Sequence, residues 1–356
     1  AVGYKSGLNL TTGTNSVFVG FNAGGSGVIE GDNNIAIGSY AGEDMTSGDD
    51  NVVIGRHSGR RLTTATSNVL IGRNAGTNLT VGINNIVIGG YALDAANTET
   101  DKNYNIAIGQ AALGAATHTT EYNVAIGHNA LALQTGDNKK NTAIGGLTGD
   151  AITTGDGNTL VGYLAGSAVS DGGSNVALGH QAYTAGTGSN NVCIGANAGQ
   201  GAITSGDNVI IGAVAGLALT DGPGNVLIGR SAGTAMTTSD YNVAIGHSAL
   251  AGLTTNSHNN IAIGFAALLS QALDQTGGSI SDGTVNSIAI GRNALYTQNH
   301  ADAINVAIGY NAGLAINTGT KNTLVGYKSG DSLNSNTNTT CLGYEAGKGT
   351  TASGST

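Results

Sequence analysis

The sequence predicts an all-β fold, a parallel β-solenoid (a β-roll or β-helix) of about twenty rungs, and three observations carry that prediction. A run of the type Asn-Val-Ala-Ile-Gly recurs along the whole chain. It returns with a regular short period, most often that separating Gly38 from Gly55 and Gly55 from Gly72. The composition is that of short strands and tight turns, with 60 Gly, 1 Pro, no Trp and 40% hydrophobic residues in 356.

The period comes first, because internal repetition decides the architecture. Twenty glycines, beginning Gly3, Gly20, Gly38, Gly55 and ending Gly309, Gly326, Gly343, close such runs. Of the nineteen intervals between them, eleven equal the spacing from Gly3 to Gly20 and five equal the slightly longer spacing from Gly20 to Gly38. The three exceptions run from Gly89 to Gly109, from Gly179 to Gly195 and from Gly264 to Gly291. A 17-residue unit is too short for two packed helices. A β-branched run ending in Gly suits a strand of about five residues followed by a sharp turn. Such coils stack in parallel, each burying its apolar side chains on the next. Nothing interrupts the series, so residues 1-356 read as one repeat-built domain. Because Ala1 already falls inside a repeat, the chain is expected to be a fragment of a longer fibre.

Within a rung each position has its own chemistry. Four residues before the marker Gly stands Asn in sixteen of nineteen runs, the exceptions being Ser16, Ser287 and Thr339. These amides are expected to stack into a ladder from rung to rung, as in cross-β structures. Three before the Gly stands Val, Ile or Thr, and the residue just before it is Val, Ile or Leu. The Gly itself allows a positive φ or a close backbone approach. Three after it comes a small residue, and seven after it usually an aliphatic one, as at Leu62, Ile152 and Met236. A Thr-Thr-Gly turn or its equivalent then leads to the next Asn.

Two kinds of rung are distinguishable. The residue four after the marker is most often Gly, but it is Leu at Leu93, Leu113, Leu131, Leu250, Leu268 and Leu295 and Tyr at Tyr183. Every Leu rung is followed by an interval longer than the common one. The Leu is expected to fill a second core position, and the coil to widen around it.

The middle of the strand suggests assembly. Every residue two before the marker is apolar, from Phe18 and Ala36 through Leu70 and Leu227 to Cys341. If the flanking Val and Ile point into the coil, these point out. A strand apolar on both faces is covered on both. A threefold symmetry mate would cover such a stripe; cover from another part of the same coil is the alternative. The expectation is a homotrimeric rod, with an axial length of roughly 90 Å at ~4.8 Å per rung.

The Asn-[Val/Ile/Thr]-Ala-Ile-Gly…Ala pattern resembles the repeats in the head domains of trimeric autotransporter adhesins. The longer rung, with Asn-Val-Ala-Ile-Gly-His-Asn-Ala-Leu at 123–131 and Asn-Val-Ala-Ile-Gly-Tyr-Asn-Ala-Gly at 305–313 beside Thr-Thr-Gly turns, is more similar to repeats of phage tail-fibre proteins and related bacterial surface proteins. That resemblance extends over essentially the whole chain, although the period departs from that of the adhesin heads. It implies a trimeric parallel β-roll or β-helix displayed on a virion or outside a cell, attached to a host or surface.

Chemistry that would make an enzyme is not legible. Of the seven His, the four that flank marker glycines, His57, His128, His180 and His247, are three or more rungs apart, too far for two on one chain to share a metal. Cys193 and Cys341 occupy the same rung position eight rungs apart, so they cannot bond within a chain and read as small apolar fillers. The Gly-x-Gly spacings lack the βαβ setting of a dinucleotide site. No cofactor is implied. The net charge of −9 is a poor match for nucleic acid, and no apolar stretch is long enough to span a membrane. The one outstanding irregularity is the 27-residue interval from Gly264 to Gly291, whose extra residues Gln271, Asp274, Gln275, Ser279 and Asp282 form the candidate protruding, ligand-binding loop.

The function expected is therefore a non-enzymatic fibre shaft or head for attachment, placed in a phage tail fibre on the virion surface. The alternative is a bacterial extracellular adhesin or filament subunit, and a third reading is a glycan-cleaving tail spike. Expected partners are further copies of the chain, other fibre segments, and a host-surface glycan or protein receptor.

Overall fold

The structure, a computed structural model, describes residues 1–95, 102–115, 121–135, 139–252, 257–269, 286–298, 300 and 303–349. It divides into two compact units, Ala1–Asn175 and Val176–Thr356.

Each unit is a parallel β-solenoid built of three-residue strands. The first holds β1 (Val17–Val19), β2 (Ile35–Ile37), β3 (Val52–Ile54), β4 (Val69–Ile71), β5 (Ile86–Ile88), β6 (Ile106–Ile108), β7 (Val124–Ile126), β8 (Thr142–Ile144) and β9 (Thr159–Val161). The second holds β10 (Val176–Leu178), β11 (Val192–Ile194), β12 (Val209–Ile211), β13 (Val226–Ile228), β14 (Val243–Ile245), β15 (Ile261–Ile263), β16 (Ile288–Ile290), β17 (Val306–Ile308), β18 (Thr323–Val325) and β19 (Thr340–Leu342). Gly3 marks a partial coil that joins the first unit through the parallel bridge Val2↔Val19. Within a unit, equivalent positions pair without slippage, as in Val52↔Val69, Val53↔Leu70 and Ile54↔Ile71. The register holds across the 27-residue interval too, where Ala262 of β15 pairs with Ala289 of β16.

Strands are three residues rather than five because the turn begins at the marker Gly. There φ is +137° at Gly72, and an added Cβ would lie 2.6 Å from the Gly89 carbonyl oxygen. Only Gly fits both the dihedral and that approach. Beyond the strand the coils stay bonded through turn segments, for example Gly59 N–H to Ala75 O at 2.9 Å and Thr63 N–H to Thr80 O at 3.0 Å.

The expected facing of the strand is reversed. The middle residues point inward: Leu70, Val53, Ala125, Leu227 and Ala244 are all fully buried. The flanking Val and Ile point outward and are partly exposed, reaching 46% at Val17 and 39% at Ile86. The reason is geometric. A three-residue strand on a closed coil has one side chain on its concave side and two on its convex side, and a narrow interior accommodates only the one. Cover for the middle column therefore comes from the coil itself, through the buried Ala three after the marker and the aliphatic residue four or seven after it.

The Asn ladder forms as expected, and it is buried. Asn51 donates its amide to Asn34 Oδ1 at 3.0 Å, and the Asn51 backbone N–H reaches the same oxygen at 3.0 Å. Its second proton serves the turn, at 2.7 Å from Ala65 O. Asn68, Asn85, Asn105 and Asn123 repeat the pattern in the first unit. Asn208, Asn225, Asn242 and Asn260 repeat it in the second. Each amide thus satisfies buried groups that would otherwise be costly to leave unpaired.

Candidate functional surfaces

The outward faces of the rungs carry whatever these units present to a partner. Closest to the strand are the two columns of Val and Ile just described. In the first unit they run through Val52, Ile54, Val69 and Ile71, and in the second through Val226, Ile228, Val243 and Ile245. The column just before the marker Gly is aliphatic at every strand, and the other is aliphatic except at Thr142, Thr159, Thr323 and Thr340. Such continuity exceeds the scattered apolar residues of an ordinary surface.

Next to them, the one or two residues after each marker Gly form a second column of free choice, and aromatic residues collect there. Tyr4 stacks on Phe21 with ring centroids 5.4 Å apart, Phe21 meets Tyr40 edge-on at 5.2 Å, and Tyr40 stacks on His57 at 5.0 Å. In the second unit His247 stacks on Phe265 at 5.3 Å, and Tyr310, Tyr327 and Tyr344 stack in turn at 5.3 and 5.1 Å. These spacings follow the separation of adjacent parallel strands. Cations cap several rings, including Arg73 over Tyr91 at 4.9 Å and Arg292 over Phe265 at 5.2 Å.

Arginine is concentrated in one place. Arg56, Arg60, Arg61 and Arg73 lie on two consecutive rungs of the first unit, and all are exposed. Arg60 donates through Nε to Glu43 Oε2 at 2.6 Å. Glu43 is itself buried and also takes the Asn22 amide at 2.6 Å. Burial holds the His57 imidazole below its usual range, with Arg56, Arg60 and Arg73 adding to the effect. Burial and the neighbouring Glu43 raise the Asp44 carboxyl, against the pull of Arg60 and Arg61.

The interior holds few ionisable groups. Lys102 is fully buried at the rung position otherwise filled by Gly48, Ala65 or Gly82, and its backbone oxygen takes the Asn85 amide at 2.6 Å. Its Nζ has no hydrogen-bond partner among the described residues. Burial depresses its pKa to about 8, with Asp94 acting the other way. Cys193 and Cys341 are both free and buried, each in a strand middle, and burial pushes the Cys193 thiol up to about 12. Among the described residues no three of His, Cys, Asp and Glu come together as metal ligands, and no helix is long and apolar enough to cross a membrane. The candidate loop residues Gln271, Asp274, Gln275, Ser279 and Asp282 lie outside the described residues.

The aromatic column and the Arg cluster were missed by motif reading because they occupy positions where the repeat fixes no residue type. Aligning rungs on the marker Gly shows the aromatic residues with Arg56 and Arg73 one or two after it, and Arg60 and Arg61 five and six after it. No protein-family model matches the chain, and no curated protein matches its sequence.

Proposed function

We propose that the chain is a structural segment of a phage tail fibre, assembled as a homotrimer and serving attachment to a host surface. The observation that carries this reading is the pair of uncovered Val and Ile columns on the outside of a self-contained solenoid. The coil already has a full interior, so these side chains add nothing to its own core. Burying the exposed third or so of a Val or Ile against a second chain recovers less than about 1 kcal/mol, and the gain accumulates over many rungs. A parallel arrangement of identical chains about a threefold axis offers each column the same partner along its whole length. The likeness of the repeat to tail-fibre sequences supports the placement on a virion, and the exposed aromatic column suits contact with glycans or proteins.

Immunogold electron microscopy with antibody raised against the chain tests the placement. Gold on the tail fibres of particles carrying this gene product is the expected result. Gold on the envelope of bacterial cells, with none on particles, would replace the fibre by a surface adhesin.

A further inference from the structure

We infer that the arginine cluster on the first unit is a binding site for an acidic polysaccharide, whose carboxylates meet Arg56, Arg61 and Arg73 and whose sugar faces rest on the neighbouring rings. The biological source of such a glycan rests on the attachment role proposed above; the site itself rests on the residues. In a chain of net charge −9, four of the thirteen Lys and Arg stand between positions 56 and 73. The rung register brings them together. Asn74 N–H donates to Arg56 O at 3.0 Å and Tyr91 N–H to Arg73 O at 2.9 Å, so Arg56 and Arg73 occupy the same position on successive coils.

The cluster is only partly neutralised. Arg60 is committed to Glu43, whereas Arg56 and Arg61 form no ion pair among the described residues. Arg60 lies over the Tyr40 ring at 5.8 Å, and Tyr40 stacks on His57 at 5.0 Å, which places Arg60 beside the column that carries Arg56 and Arg73. Rings border the cluster on both sides. Tyr40 lies against His57, and Tyr91 lies under Arg73. Guanidinium forks that bind carboxylates bidentately, interleaved with flat apolar faces, form the recognition chemistry of a uronic-acid sugar.

Nucleic acid is the poorer fit. A duplex carries one charge per about 1.7 Å and rewards a long basic track. Here the basic patch spans two rungs, and Glu43 and Asp44 lie beside it.

Calorimetric titration of the purified, assembled protein with polygalacturonate fragments tests the site, with dextran and poly-dT as comparison ligands. Binding to polygalacturonate, weakening with added salt, and no binding to dextran are expected. The double variant Arg56→Gln/Arg73→Gln should lose affinity at least about tenfold, with circular dichroism and mass unchanged because both side chains are exposed. Tyr91→Ala should lose a smaller part, and Arg230→Gln, at the equivalent rung position in the second unit, should bind as the parent does. Absence of binding, equal affinity for poly-dT, or an unaffected double variant would each overturn the proposal. None of those results bears on where immunogold places the protein, so the two readings fail separately.

Discussion

Two rungs of the first unit solve the same packing problem in opposite ways. In the rung marked by Gly72 the strand middle is Leu70, the fourth residue after the marker is Gly76, and the seventh is Leu79, with both leucines buried. An added Cβ on Gly76 would lie 3.1 Å from Leu70 Cδ2. In the rung marked by Gly127 the middle is Ala125, the fourth residue is the buried Leu131, and the seventh is the buried Gln134. Leu131 adopts φ +50°, a left-handed conformation costing about 1–2 kcal/mol for a non-Gly residue. Its side chain fills room beside the small Ala125, a trade of residues between positions of one coil. Other coils, such as that of Ala143 and Gly149, are small at both positions and take side chains from their neighbours, with Leu160 Cδ1 and Leu131 Cδ2 lying 2.8 and 3.1 Å from a Cβ added to Gly149. Tyr183 shows the same trade in the second unit, in the coil whose strand middle is Ala177. It is buried, donates its hydroxyl to Gly188 O at 2.8 Å and accepts the Asn191 amide at 3.1 Å.

The largest break is a charge at the strand middle. Leu70→Asp or Leu227→Asp places a carboxylate with no partner in a fully buried site, at a cost above about 4 kcal/mol. Loss of the cooperative unfolding transition followed by circular dichroism is expected, rather than clean dissociation of a folded chain.

Exchanging the rung types comes next. Gly76→Leu overpacks a rung that already holds Leu70 and should cost about 3 kcal/mol. Leu131→Gly empties its rung and should cost a similar amount, about 3 kcal/mol. The double variant Leu70→Ala/Gly76→Leu recreates the Leu-type solution and should recover at least about 1 kcal/mol relative to the sum of its single changes. Strict additivity in urea unfolding would mean that the two positions do not share one volume.

Lys102 sharpens the comparison through pH. Its pKa in the folded chain is depressed to about 8 from 10.5. Between those values the unfolded chain holds a proton that the folded chain has released, so stability rises with pH across that window and is lowest below it. Lys102→Met should remove this dependence and stabilise the protein at pH 7 by about 2 kcal/mol. Denaturant midpoints at pH 7 and pH 10 for both proteins measure the difference.

The smallest effect concerns the ladder. Where Ser287 stands in place of Asn, Gln298 bridges the gap, donating to Ser287 Oγ at 2.9 Å and accepting from Asn305 at 3.0 Å. Gln298→Ala should cost about 1–2 kcal/mol by leaving buried polar groups unpaired. The same change at exposed Gln110 should leave thermal unfolding unmoved.

What the sequence made legible divides along the same lines. The period, the marker Gly, the Asn ladder and the Leu-type rungs were readable because each is fixed by one residue type at one position. Gly72 admits no Cβ, and Asn51 alone serves two neighbouring coils. The facing of the strand was not readable from alternation, because Val52, Val53 and Ile54 are apolar on both sides. A signal lies between positions: six of the seven rungs with Leu or Tyr four after the marker have Ala at the strand middle, as Leu131 with Ala125, a pairing that fits two residues sharing one interior. For the proposed binding surface the repeat gave little guidance, since Arg56 and Arg73 are exposed and the coil asks of Tyr91 only a left-handed backbone, φ +60°.

With the flanking columns facing outward, the test of assembly moves to residues such as Ile54 and Ile71. Multi-angle light scattering of the parent chain and of Ile54→Asp/Ile71→Asp measures it directly. The parent should elute at three times the 35.0 kDa mass of one chain, and the variant should fall toward the single-chain mass or lose solubility. A parent protein that is stable, soluble and 35.0 kDa would contradict burial of the Val and Ile columns between chains.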